Sequence, residues 1–69
     1  MYRYRLVATY ATDEGRFWFG VAVYKNHRRL AWRPAISPER QRVKAIARLC
    51  NQEQVEPVHL ADVVHDMTH

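Results

Sequence analysis

The stretch RFWFGVAVY, residues 16–24, is the most strand-like segment of the chain. It is dense in aromatic and β-branched residues, which favour a pleated sheet. Successive side chains of a strand point to opposite faces. One face would carry Phe17, Phe19, Val21 and Val23, and the other would carry Trp18, Gly20, Ala22 and Tyr24. We therefore predict a central strand at 16–24, with its Phe and Val side chains against a core.

A further strand is predicted on each side of this one along the chain. Residues 2–10 alternate in the period of a half-buried strand. Residues 12–15, TDEG, form a turn to the central strand, because Asp bonds its own backbone and Gly accepts positive φ. A polar turn at 25–28 leads to a short strand at 29–33, which we expect Pro34 to end because proline cannot donate to a β-ladder. The result is a three-stranded antiparallel meander.

Beyond residue 36 the apolar spacing changes to that of helices. Ser37 supplies a capping hydroxyl and is followed by proline and an acid, so we predict a helix at 38–51 with Ser37 as its cap. Pro57 suits the first turn of a second short helix at 57–67. Each helix has one apolar stripe, so both are expected to pack on the same sheet face. The predicted fold is α+β with the order βββαα, and its second sheet face is open.

The composition limits what the chain can be. Its 69 residues allow a single domain, 1–69, with one modest core. The lone cysteine cannot form an internal disulfide, which favours a reducing cytoplasm. No signal-peptide-like or membrane-spanning apolar run is present, so we expect no membrane association. Lys and Arg number 11 against 7 Asp and Glu, and the net charge of +4 favours polyanionic partners.

Three segments resemble a known family. YRLV at 4–7, the pair Ile36-Ser37 before a charged helix, and PVHLADVVHD at 57–66 are similar to an uncharacterised family, a domain of unknown function, of short Clostridia-type bacterial proteins. The last segment fits a closing Pro-Val-His-Leu-x-Asp-Val-Val-x-Asp pattern. The chain departs from that family in its basic third strand and in having a histidine at position 65. The resemblance implies a bacterial cytoplasmic protein without an established activity.

The residues suited to catalysis have structural explanations. Cys50 shares the apolar face of the first helix, where a free cysteine behaves as a small hydrophobe. Ser37, the only serine, is explained as a helix cap. The two glycines form no phosphate-binding loop. We predict that the protein is not an enzyme and binds no cofactor.

The polar edge of the second helix is a weak candidate for a metal site. His59, Asp62 and Asp66 have the i, i+3, i+7 spacing of helical metal ligands, and His65 and His69 lie on the same side. A polar stripe opposite an apolar one is also the ordinary pattern of a surface helix, so we predict no metal. For His59 we prefer a hydrogen bond to the backbone that leaves the first helix.

The open sheet face is the preferred binding surface. Its predicted residues are Arg3, Arg5, Trp18, Tyr24, Arg29 and Arg33. Exposed aromatic side chains on a small domain often mark an interface, so the leading hypothesis is an interaction module for an unknown protein partner or a second copy. The alternative is a single-stranded nucleic-acid binder, because aromatic rings stack on bases and arginines contact phosphates. A helix-turn-helix is disfavoured, since the second helix exposes acids and carries no Lys or Arg.

Overall fold

Three antiparallel strands and two helices make up the structure. The computed structural model describes residues 1–68, so His69 lies outside the described residues. The elements are β1 (Arg3–Ala11), β2 (Arg16–Lys25), β3 (Arg28–Ser37), α1 (Arg40–Glu53), a single 3₁₀ turn (Pro57–His59) and α2 (Leu60–Thr68). The strands form one sheet in the order β1-β2-β3. The predicted α+β architecture, βββαα, is confirmed.

The core lies between the helices and one face of the sheet. β1 pairs with β2 so that Tyr4 is opposite Val23 and Leu6 is opposite Val21. Residues directly opposite each other share a face, so these four side chains point the same way. Leu6 packs against a buried cluster in which the other three meet the apolar faces of both helices. The cluster consists of Tyr4, Val21, Val23, Val43, Ile46, Ala47, Cys50 and Leu60. The side of β2 that carries Phe19, Val21 and Val23 is therefore the core side, as predicted. Phe17, at the far end of the same side, was also predicted against the core but is exposed.

β3 continues four residues beyond its predicted end, so the prediction that Pro34 ends the strand is wrong. β3 is an edge strand, and a proline there can sit where no ladder hydrogen bond is required. The register shifts at this point, because Val21 pairs with Arg33 but Phe19 pairs with Ser37. The shifted backbone crosses so close to Gly20 that an added Cβ would lie 1.9 Å from the Arg33 carbonyl oxygen.

The first helix begins at Arg40 with Glu39 as its N-cap residue, two residues later than predicted. Ser37 is buried, and its Oγ accepts a hydrogen bond from the Glu39 N–H at 3.1 Å. A serine that bonds the backbone two residues ahead stabilises a local turn. Ser37 therefore shapes the connection into the helix, and it is not the residue at the helix N-cap.

Candidate binding surface

The half of the open sheet face near the start of β1 is basic and aromatic. The register places Tyr24 opposite both Arg3 and Arg29, and it places Ala22 opposite both Arg5 and Trp32. Because opposed residues share a face, all of these side chains lie on the side of the sheet without helices. We call the larger ones the basic face, which consists of Arg3, Arg5, Tyr24, Arg29 and Trp32. The basic face thus contains three guanidinium groups and two aromatic rings.

A groove of about 670 Å³ adjoins the basic face at the start of β1. Its lining includes Arg3, Arg5 and Tyr24, together with His27 from the β2–β3 turn. Among the described residues that line the groove, none is acidic. The groove therefore suits an anionic group.

Trp32 belongs to the basic face although the sequence did not predict it there. Strict alternation along 29–33 places Arg29 and Arg33 together, on the face opposite to Trp32. The register shifts by one residue between Val23, which pairs with Ala31, and Tyr24, which pairs with Arg29. This bulge at Leu30 puts Arg29 and Trp32 on the same side. The Arg29 guanidinium lies 4.6 Å from the centroid of the Trp32 ring, which is 50% exposed.

The same bulge separates Arg33 from the other predicted site residues. Arg33 pairs with Val21, whose side chain is in the core cluster, so Arg33 projects from the helix-bearing side. It remains exposed there. No sequence pattern marks the bulge, because residues 28–33 have no glycine and no regular apolar alternation.

Trp18 lies at the other end of the open face, where an acid compensates the basic charge. The Trp18 Nε1–H donates to a Glu14 carboxylate oxygen at 2.9 Å. The Arg16 guanidinium binds the same carboxylate at 3.3 Å and lies 5.9 Å from the Trp18 ring centroid. The predicted binding surface therefore has two parts. One is the basic face, and the other is the end around Trp18, where the Glu14 carboxylate neutralises the charge of Arg16.

Two side-chain amides at the end of α1, from Asn51 and from the C-cap residue Gln54, hold the start of β1 in place. Asn51 Oδ1 accepts the Tyr4 N–H at 2.7 Å, and Asn51 Nδ2 donates to the Tyr4 carbonyl at 3.0 Å. Gln54 makes the same pair of bonds with Tyr2, at 2.8 and 2.9 Å. The amides thus occupy the outer edge of β1 as another strand would, and they fix the backbone that carries Arg3 and Arg5. In the sequence, these residues belong to the polar stretch NQEQ, 51–54, which only interrupts the apolar spacing of the helix.

Tyr4 also makes the contact that was predicted for His59. The Tyr4 hydroxyl donates to the carbonyl of Val55, in the backbone that leaves α1. The pKa of Tyr4 is raised to about 12, mainly because the phenol is buried and to a smaller extent because the Cys50 and Tyr2 groups lie nearby. The His59 side chain is 62% exposed, and its Nδ1 lies 3.8 Å from Asp62 Oδ2. The connection between the helices is therefore held by Tyr4.

Comparison with known proteins identifies the family but no activity. The model of a family of unknown function, DUF6514, matches residues 1–69. The chain belongs to this family. The resemblance to a domain of unknown function, inferred from the sequence, is thus confirmed. No curated protein and no solved structure matches the chain.

The polar edge of α2 in this DUF6514 protein is a line of exposed side chains. His59, Asp62 and Asp66 are all exposed. Within residues 1–68, no group of three His, Cys, Asp or Glu side chains is placed to hold a metal ion. We therefore assign no role to this edge.

The thiol of the DUF6514 protein is enclosed by the core. Cys50 has no exposed surface, and burial raises the pKa of its thiol. A raised pKa lowers the fraction of the reactive thiolate.

In the described part of the chain, no helix is long and apolar enough to cross a membrane.

Proposed function

We propose that this DUF6514 protein is a non-catalytic binding module of the bacterial cytoplasm, and that it contacts its partner with the open face of its sheet. The observation that carries the proposal is the basic face. Arg3, Arg5 and Arg29 share it with two aromatic rings, on the side of the sheet without helices. The buried positions of Ser37 and Cys50 support a role without catalysis.

The charge of the basic face favours a polyanionic partner over a second copy in face-to-face contact. Two stacked basic faces would place the three arginines of one copy against those of the other. Like charges across an interface oppose association. A polyanion would instead gain from the same arrangement, and its long-range attraction would be strengthened by the net charge of +4.

Single-stranded nucleic acid is the polyanion that uses every part of the basic face. Tyr24 and the half-exposed Trp32 offer rings on which bases can stack. Arg3, Arg5 and Arg29 flank those rings at the distance of neighbouring strands, where they can contact phosphates. An acidic protein segment would use the arginines but would leave the stacking surfaces without a specific role.

The test is the affinity for a fluorescein-labelled single-stranded oligonucleotide of about 12 nucleotides, a length within the range that small binding domains cover. We expect fluorescence anisotropy to give a log–log salt slope of about −2, because three phosphate contacts each contribute roughly −0.7. The double variant R3A/R5A should bind at least about tenfold more weakly and reduce the slope by about 1.4.

The matched control is R40A/R48A, which removes the same charge from two exposed positions of α1. It should retain most of the affinity, since its arginines lie outside the basic face. Equal losses in the two double variants would mean that net charge alone causes binding. Failure to bind at low salt would exclude nucleic acid, and binding to polyglutamate that depends on Arg3 and Arg5 would then identify an acidic protein partner.

A further inference from the structure

One edge of the sheet is open over part of its length. β1 is the first strand in the order β1-β2-β3, so its outer edge has no neighbouring strand in the sheet. The backbone groups of Tyr2 and Tyr4 face outward, because Gln54 and Asn51 bind them there. Outward and inward backbone groups alternate along an antiparallel strand. The N–H and C=O groups at positions 6, 8 and 10 therefore also face outward.

This open segment has none of the features that usually protect an edge strand. Edge strands are protected by charges, prolines, bulges or covering side chains. The β3 edge has arginines, Pro34 and two register shifts, and the start of β1 is covered by the amides of α1. Residues 6–10, LVATY, have no charge and no proline, and the register with β2 is continuous from Arg3 to Ala11.

An exposed aromatic pair lies beside the open segment. Tyr10 and Phe17 are directly opposite each other on β1 and β2, and their rings meet edge to face with centroids 5.0 Å apart. The two residues are 50% and 52% exposed. If another chain packed along this edge, the exposed apolar surface of both rings would be buried, which favours association.

We propose that a second copy of this chain pairs its β1 with this edge in antiparallel orientation, around a two-fold axis at Ala8. Leu6 of each copy would then pair with Tyr10 of the other, and the two Ala8 residues would pair with each other. These are the positions whose backbone groups face outward, so each pair exchanges both hydrogen bonds. The two sheets become one sheet of six strands.

The charges at the two ends of β1 and the length of this strand favour the antiparallel orientation. The basic end of β1, at Arg3 and Arg5, comes toward the acidic turn of the second copy, which contains Asp13 and Glu14. A parallel pairing would bring like charges together. The second copy's β1 ends at Ala11, opposite Arg5, before it reaches the position that Asn51 covers. The contact uses the edge of the sheet, so it does not depend on what the basic face binds.

The variant that tests the pairing is Ala8→Pro. Proline removes an N–H that faces outward, so the ladder between β1 and β2 keeps its bonds while the two bonds of the central Ala8 pair are lost. Sedimentation equilibrium of the full chain should show a monomer–dimer equilibrium. We expect Ala8→Pro to weaken it at least about tenfold, the equivalent of about 1.4 kcal/mol. The control Ala8→Val keeps the N–H and should keep the dimer.

Amide hydrogen exchange of the unmodified chain tests the same pairing without a substitution. The amides of Leu6, Ala8 and Tyr10 should exchange more slowly as concentration rises. The Tyr4 amide is already bonded within the chain to Asn51, so its exchange should slow less with concentration than that of these three amides. A protein that stays monomeric at about 1 mM, near −4 kcal/mol of association energy, would overturn the proposal. A dimer in which these three amides gain no more protection than the rest of the chain would also overturn it.

Discussion

Tyr4 connects three parts of the molecule through three different groups. Its ring lies in the core cluster, its backbone is bound by Asn51, and its hydroxyl is bound by the Val55 carbonyl after α1. A buried carbonyl that loses its donor costs about 1–3 kcal/mol. The residue therefore holds β1 to the end of α1 and fixes where the connection to α2 begins.

The raised pKa of Tyr4 makes the free energy of unfolding depend on pH in the alkaline range. The folded-state pKa is about 12, against about 10 in the unfolded chain, so folding favours the protonated phenol. The stabilisation is complete below pH 10 and is lost as pH rises through 12. Two pKa units correspond to up to about 3 kcal/mol. Urea unfolding at increasing pH should show this loss.

The matched pair of variants for this prediction is Tyr4→Phe and Tyr10→Phe. Tyr4→Phe should cost about 1–3 kcal/mol at neutral pH and should flatten the alkaline decline. Tyr10 is half-exposed, so Tyr10→Phe should keep the decline of the original chain. An equally steep decline in Tyr4→Phe would show that other groups cause it.

At the scale of single elements, β2 requires a glycine where β3 crosses it. A Cβ at position 20 would lie 1.9 Å from the Arg33 carbonyl oxygen and 2.5 Å from the Pro34 carbonyl group, all backbone atoms that cannot rotate away. We expect Gly20→Ala to destabilise the fold by about 3 kcal/mol or more, because overpacking forces the backbone to shift. Chemical denaturation measures the loss.

Gly15 provides the comparison for that prediction. It has φ of +66° in the β1–β2 turn, and nothing lies within 4 Å of an added Cβ. Gly15→Ala should therefore cost only the left-handed backbone strain, about 1–2 kcal/mol. If the two variants were equally stable, β3 would not cross β2 as closely as the structure has it.

The elements that could be predicted from the sequence are those whose register is continuous. β1 and β2 pair without interruption, so simple alternation correctly placed Arg3, Arg5, Trp18 and Tyr24 on the open face. The side chains of β3 do not alternate regularly along the strand, because its bulge at Leu30 and its crossing at Gly20 arise from contact with β2. Alternation within 29–33 could not contain that information, and it therefore selected Arg33 where the structure has Trp32.

The contacts between the end of α1 and β1 also could not be predicted from local sequence patterns. Asn51 and Gln54 lie about fifty positions from the residues they bind. Their spacing in the sequence resembles an ordinary polar helix end. Only the placement of the end of α1 over the edge of β1 makes them substitutes for a strand.

At the scale of the whole molecule, the two proposed contacts use different surfaces and are compatible. Residues paired across antiparallel strands share a face, so the open faces of both copies would lie on one side of the six-stranded sheet. The basic faces of the two copies would then be presented to the same partner. Two linked sites bind one long polyanion more tightly than either alone. The dimer would therefore extend the binding surface and leave it uncovered.

The small core gives association a measurable effect on stability. A chain of 69 residues with one cysteine has neither a disulfide nor a large buried interior to stabilise it. If folded copies associate and unfolded copies do not, the thermal midpoint rises with concentration. A hundredfold increase within the dimeric range adds about 1.4 kcal/mol for each chain, which corresponds to roughly 5–10 °C for a domain of this size. Calorimetry should show this rise for the original chain and for Ala8→Val, but a smaller rise over the same concentrations for Ala8→Pro. A midpoint that rises equally in all three would locate the association away from the β1 edge.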